Sequence, residues 1–221
     1  MQQAGAKAVY LHGCPCNKKV WGPDDDSDEC EFCGGSRYDD ENKPREFVVH
    51  FPLKERLRSL LKLPQYVKAV RWELERNARH NRNYVTDVYD TKWWQDNMGS
   101  VKVVIFNGRR RKLLSRMGFL LCIDGVPAFH EKHKGAPTLC PAELINLSQG
   151  PHERYDPDNM MPWMLIPNEY SAETQEKFFK YVIETEMNPL MTEGVEGPDG
   201  PVTIKVLGAS LDLKGKSLLL L

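Results

Sequence analysis

No apolar run in this chain is long enough to cross a bilayer. The strongest, GFLLCI at 118–123, covers six residues, whereas a spanning helix needs roughly 20. The N-terminal stretch MQQAGAKAVYLHGCPC has no basic segment leading into an apolar one, so it does not read as a secretory signal. An excess of one charge is lacking as well. With 30 basic and 31 acidic side chains the formal net charge is -1, which excludes a chain that binds nucleic acid through its overall charge. Any such contact must come from local basic patches. Internal repeats are missing, and the acidic run Asp24, Asp25, Asp26, Asp28 and Glu29 is the one biased tract, read as a solvated loop. Cysteines are few and unevenly placed. Four of the six fall within the first 33 residues, while Cys122 and Cys140 sit in apolar, strand-like segments. This distribution suits a metal site in a reducing compartment better than a disulfide framework.

What is present divides the chain into three regions by composition. Residues 1–45 are polar and carry the cysteine cluster. Residues 46–116 begin with a strand-like FVVHF, followed by a helix in which Leu53, Leu57, Leu60 and Leu61 recur at helical spacing. Pro52 suits the first turn of that helix. Pro64 breaks it, and QYVKAVRWELERNAR continues as a second helical stretch. From His80 to Arg116 the chain is aromatic-rich and then basic, with no single regular element legible. Residues 117–221 read as strand (MGFLLCIDGV), strand (PTLCPAELINL), strand (MMPWMLIP), helix (SAETQEKFFKYVIETEMNPL) and strand (VTIKVLGASLD). Ser171 is the expected N-cap of the helix, and Phe178, Phe179, Val182 and Ile183 form its apolar face. The fold class is therefore α/β, with a small N-terminal metal-binding module (1–45), a helical connector with a basic loop (46–116) and a final domain (117–221).

Two groups of residues carry chemistry. HGCPC at 12–16 and CEFC at 30–33 offer His12, Cys14, Cys16, Cys30 and Cys33 as soft or borderline ligands. Structural zinc takes four of these in a tetrahedron, and two close pairs joined by a short loop supply them at low entropic cost. Cys14 and Cys16 are only two apart, so His12 competes with Cys14 for the fourth position; free or redox-active thiols are the other reading. A finger of this kind folds only around its metal. The second group is a pair of aspartates, Asp124 and Asp212, each closing an apolar strand. Desolvation there must be compensated, and divalent metal is one means. Phosphodiester cleavage with two metal ions needs carboxylates converging from neighbouring strands. The element order is that of the ribonuclease H-like fold, in which the first and fourth strands lie side by side. The plainer reading makes each aspartate an ordinary strand-end residue.

Several segments, taken in order, resemble the transposases of CACTA (En/Spm)-type DNA transposons. These are HGCPCNKKVW and CEFCGGSRY with Arg37 and Tyr38, FVVHFPLKERLRSLL, Arg71-Trp72, TDVYDTKWW, CIDGVPAF, CPAELINL, MMPWMLIP and ASLDLKGKSLLL. The resemblance spans nearly the whole chain. It implies a ribonuclease H-like catalytic core with Asp124 as first metal ligand and Asp212 as second, magnesium or manganese as cofactor beside structural zinc, and cleavage and transfer of DNA at transposon ends. It further implies a nuclear site of action, and self-association is a separate expectation for partners. Two departures stand out: Cys14-Pro15-Cys16 is tighter than the family's first pair, and Lys214-Gly215 replaces small apolar residues after Asp212. Because the sequence stops at Leu221, before the family's third carboxylate, the expectation is an incomplete domain that holds divalent metal weakly and is inactive alone. A non-catalytic zinc-dependent module that binds DNA or protein is the alternative.

Other features have plainer readings. Arg109, Arg110, Arg111 and Lys112 could grip phosphate or mark nuclear import, against a solvated basic loop. Trp93, Trp94, Tyr84 and Tyr89 could stack on bases, against burial in a core. His130, His133 and His152 read as solvent-facing loop residues.

Overall fold

The computed structural model describes residues 7–75, 87–99, 101–124, 126–127 and 138–211. The N-terminal part contributes β1 (Val9–Gly13), β2 (Val20–Trp21) and β3 (Glu46–His50), and then α1 (Leu53–Leu60), α2 (Pro64–Val70) and α3 (Trp72–Glu75). After α4 (Lys92–Met98) come β4 (Val103–Phe106), β5 (Arg109–Lys112), β6 (Arg116–Ile123), β7 (Val126–Pro127), β8 (Thr138–Asn146) and β9 (Met161–Pro167). The chain then forms α5 (Ala172–Val182), a π-helical turn (Ile183–Met187), α6 (Asn188–Thr192), β10 (Val195–Gly197) and β11 (Gly200–Leu211).

One mixed sheet joins most of these strands in the order β10-β11-β6-β8-β9-β3-β1-β2, with β7 added beside β8. β11 runs parallel to β6, and β8, β9, β3 and β1 follow antiparallel to one another. The sheet thus runs across the compositional boundaries at 45/46 and 116/117. β3 is the hinge of this continuity, pairing with β1 on one side and β9 on the other.

Burial explains why β6 is apolar at nearly every position. Phe119, Leu121 and Ile123 lie in the main core with Val48, Leu53, Leu57, Phe178, Phe179 and Val182. Leu120 and Cys122 point to the other face, against Tyr89, Trp94, Ile145 and Leu147. A strand covered on both faces loses the apolar-polar alternation of a half-exposed one. Trp94 is fully buried while Trp93 is exposed, so the two neighbouring tryptophans divide between core and surface. Tyr84 lies outside the described residues.

The helices start and stop where local chemistry dictates. Pro52 sits at the N-cap position just before α1 rather than within its first turn, and Pro64 opens α2, where its missing N–H costs nothing. Ser171 accepts a hydrogen bond from Thr174 N (3.1 Å), as its N-cap position predicts. Two expectations change. The helical stretch after Pro64 is divided at Arg71, between α2 and α3. The helix from 171 passes through a π turn, which turns Glu186 inward onto His50 Nε2 (3.0 Å), Trp163 Nε1 (3.1 Å) and the backbone N–H of Lys54 (3.1 Å).

Burial alone would raise the Glu186 pKa, but these partners, His50 foremost, outweigh it and hold the carboxyl below its usual range. A carboxyl depressed by folding stabilises above its unfolded value, about 4.3, and that contribution disappears as pH falls through the folded value. Glu186→Gln should therefore destabilise at neutral pH by roughly 1–3 kcal/mol and flatten part of the acid decline. Urea unfolding of both proteins from pH 7 to pH 3 measures the difference, which should shrink with acid.

Candidate metal centre

Two tight turns bring the N-terminal cysteines together. In the first, just after β1, Asn17 N donates to Cys14 O (2.9 Å) and Cys14 N to Lys19 O (3.0 Å). In the second, Gly34 N donates to Cys30 O (2.7 Å) and Cys30 N to Gly35 O (2.9 Å). Gly34 has φ +67, a left-handed conformation that glycine adopts without strain. The result is a group of four sulfurs, Cys14, Cys16, Cys30 and Cys33, all within 4.8 Å of one another.

Their separations decide what the group can hold. Cys14 Sγ lies 3.5 Å from Cys33 Sγ, and Cys16 Sγ lies 3.7 Å from Cys30 Sγ. A disulfide would need about 2.05 Å. Tetrahedral zinc with bonds of about 2.3 Å sets its sulfurs about 3.8 Å apart. The four cysteines are free thiols, two of whose separations are close to that of a zinc tetrahedron, so they could hold a metal ion such as zinc. The short Cys14-Pro15-Cys16 interval is no obstacle, because the turn at Asn17 (φ 59) folds both sulfurs to one side.

His12 stands apart from this group. Its Nδ1 accepts a hydrogen bond from Arg37 Nε (2.9 Å), and burial, then the Arg37 charge, lower its pKa. Both favour a neutral ring engaged with arginine. Of the two competitors for the fourth position, Cys14 lies in the cluster.

The surroundings tune the thiols. Burial pushes Cys14 up to about 12. Burial also opposes ionisation of Cys30, but backbone hydrogen bonds from Phe32 and Cys33 prevail and bring it down to about 7. N–H groups aimed at sulfur in this way stabilise a bound thiolate. Behind the cluster, Trp21 is fully buried and donates from Nε1 to Ser27 Oγ (3.0 Å). Arg37 spans the finger, reaching Asp25 O (2.7 Å) and lying over the rings of Trp21 and Tyr38. Lys177 of α5 donates to the Cys14 carbonyl (2.6 Å) and pairs with Glu46. That bond ties the finger to the main core. The chain matches no family model, no curated protein and no solved structure. Its function therefore rests on the residues themselves.

The other candidates separate clearly. Asp124 is exposed at the end of β6, while Asp212 lies outside the described residues. His130 and His133 also lie outside them, and His152 is exposed in the turn after β8. The expected basic loop is a strand: Arg109–Lys112 form β5 of a hairpin with β4. Asn107 and Gly108 both have positive φ (49 and 72), the signature of a two-residue hairpin turn. That Asn-Gly pair between an apolar and a basic run was the signal for it.

Sequence reasoning missed Asp199. Its carboxylate is 2% exposed and accepts from Arg71, Arg111 (2.7 Å) and the backbone N–H of Leu114 (2.9 Å). Nothing in the loop sequence GPDGP distinguished it from an ordinary turn aspartate.

Proposed function

We propose that this protein is a zinc-stabilised, DNA-processing protein of the transposase type, with a ribonuclease H-like core and a nuclear site of action. One observation carries the reading. β11 pairs in parallel with β6, and the register ends with Leu211 opposite Ile123, each one residue before an aspartate. The neighbouring order β9-β8-β6-β11, with α5 and α6 between β9 and β11 in sequence, supports the same core.

In this reading Asp124 and Asp212 hold magnesium or manganese. Divalent ions between paired carboxylates supply an activated water and stabilise the leaving oxygen of a phosphodiester. The protein's own part is to end β6 and β11 side by side, each one residue before an aspartate in sequence. The DNA at transposon ends is the proposed substrate. The cysteine centre is structural, since its four thiolates fill a tetrahedron and leave no open position for a substrate.

Titration with Mn2+ followed by electron paramagnetic resonance tests the pair. The wild-type chain should bind one or two ions weakly, and Asp124→Asn and Asp212→Asn should each reduce affinity about tenfold or more. Equal binding by all three proteins would overturn the paired-acid reading and leave the alternative, a non-catalytic zinc-dependent DNA-binding module. The exposed basic hairpin β4-β5 suits DNA contact in either reading.

A further inference from the structure

We infer that the β4-β5 hairpin is a DNA-gripping ribbon whose working end is Ile105, Phe106, Arg109 and Arg110. This deepens the DNA-handling reading and rests on it.

The hairpin is unusual in what it leaves uncovered. All eight strand residues are exposed, with Ile105 at 78% and Phe106 at 61%. Contiguous apolar side chains in water mark a binding surface. One strand is wholly apolar and the other wholly basic, and the register sets Phe106 opposite Arg109 and Ile105 opposite Arg110. Adjacent pairs point to opposite faces of a ribbon, so each face carries an arginine beside an apolar side chain.

The base of the hairpin is tied down. Arg111 is held by Asp199 (2.7 Å), and Lys112 donates to Leu74 O (2.8 Å). Two of the four basic residues thus serve as anchors. Arg109 and Arg110 have no such partner among the described residues and remain free to meet a ligand.

Charge complementarity selects a polyanion, and the geometry selects DNA over an anionic bilayer. A two-stranded ribbon fits the major groove, and cations on both faces meet the phosphates of both groove walls. A bilayer presents a single plane. Entering it with Ile105 and Phe106 would carry Arg110 and Arg109 to the same depth, which hydrocarbon strongly disfavours. In a groove the same pairing is productive: the arginines contact phosphate, and the apolar side chains press on base edges or steps.

The test measures binding of the full zinc-loaded chain to a short mixed-sequence DNA duplex at several salt concentrations, with anionic vesicles in a parallel arm. Arg109→Ala/Arg110→Ala should weaken DNA binding about tenfold and lower the slope of log affinity against log salt by about 2, one per lost phosphate contact. Ile105→Ser/Phe106→Ser should weaken binding with little change in slope. Unchanged zinc content and thermal midpoint confirm that both variants fold. If the wild-type chain binds the duplex and the arginine variant binds it equally well, the ribbon is overturned while the DNA reading stands. Failure of the wild-type chain to bind duplex at low salt overturns both. Preferential binding to vesicles, or a serine variant that keeps its DNA affinity and loses only self-association, overturns the ribbon alone.

Discussion

Stripping zinc from the chain should unfold the finger from Cys14 to Tyr38 and stop at β1. The reason lies in how little else holds the finger. Its own apolar cluster consists of Cys14, Trp21 and Cys30, with Cys16 packed against it. Three of those four side chains are cysteines of the candidate metal centre. Structural zinc contributes about 10–16 kcal/mol of binding in finger peptides, far more than one buried tryptophan supplies, about 1.5–3 kcal/mol for a large apolar side chain. β1 has separate support, because its full length pairs with β3 and Leu11 lies in the main core. A strong chelator should therefore expose Trp21, make Cys14, Cys16, Cys30 and Cys33 reactive, and leave Cys140 protected in the core. Hydrogen exchange should rise across residues 14–38 while Val9–His12 stay protected. Cys30→Ser should mimic chelation, lowering zinc affinity by several orders of magnitude. A purified chain that carries no zinc, with all four thiols freely alkylated, contradicts the centre. Acid should release the metal as well, since protons compete for the thiolates.

Asp87→Ala should be the most damaging single change outside the finger. The Asp87 carboxylate meets Arg154 through two parallel bonds, Nη1 to Oδ1 at 2.8 Å and Nη2 to Oδ2 at 3.0 Å, with both side chains almost wholly buried. It also caps the short turn before α4 by accepting from Val88 N (2.7 Å). Arg154 donates further to Gln149 O (2.7 Å) and lies over the Tyr89 ring, and Tyr89 packs edge-on against Trp94. One ion pair thus fastens the aromatic segment 87–98 onto the end of β8. Removing the carboxylate leaves a buried, uncompensated guanidinium, which costs about 3–5 kcal/mol. Replacing both partners with apolar residues, Asp87→Leu/Arg154→Leu, removes that penalty and should recover much of the loss. Thermal denaturation of the single and double variants measures the gap. Equal stability of the single variant and wild type would show that the pair does not fasten this segment.

The two regular patterns were legible because burial imposes them directly. β6, β8, β9 and β11 announce themselves as apolar runs, and the leucine spacing of α1 and the aromatic face of α5 follow the helical period. That Cys16, Cys30 and Cys33 converge was legible from spacing alone. The choice between His12 and Cys14 was not. It depended on Arg37, 25 residues away, engaging the His12 ring. The segment before β6 resisted reading for a related reason. Its order comes from Asp87 and Arg154, separated by 67 positions, and from Asp199 holding Arg71 and Arg111. Local periodicity carries no trace of such long-range ion pairs. The basic run at 109–112 looked like a solvated loop because strand alternation is hidden when every residue on one strand is charged. Only the Asn-Gly turn marked it as a hairpin.

The element order read from the sequence made the adjacency of β6 and β11 an expectation, and their parallel pairing supports the functional proposal. In the proposed function Asp124 and Asp212 act as one metal-holding pair. A crystal structure of the zinc-loaded chain grown in Mn2+ tests it most directly. The expected result is a manganese anomalous peak between the two carboxylates, with at least one oxygen of each bound to it. Carboxyls more than about 8 Å apart, too far for ions at two-metal spacing, and no manganese at Asp124 would contradict it.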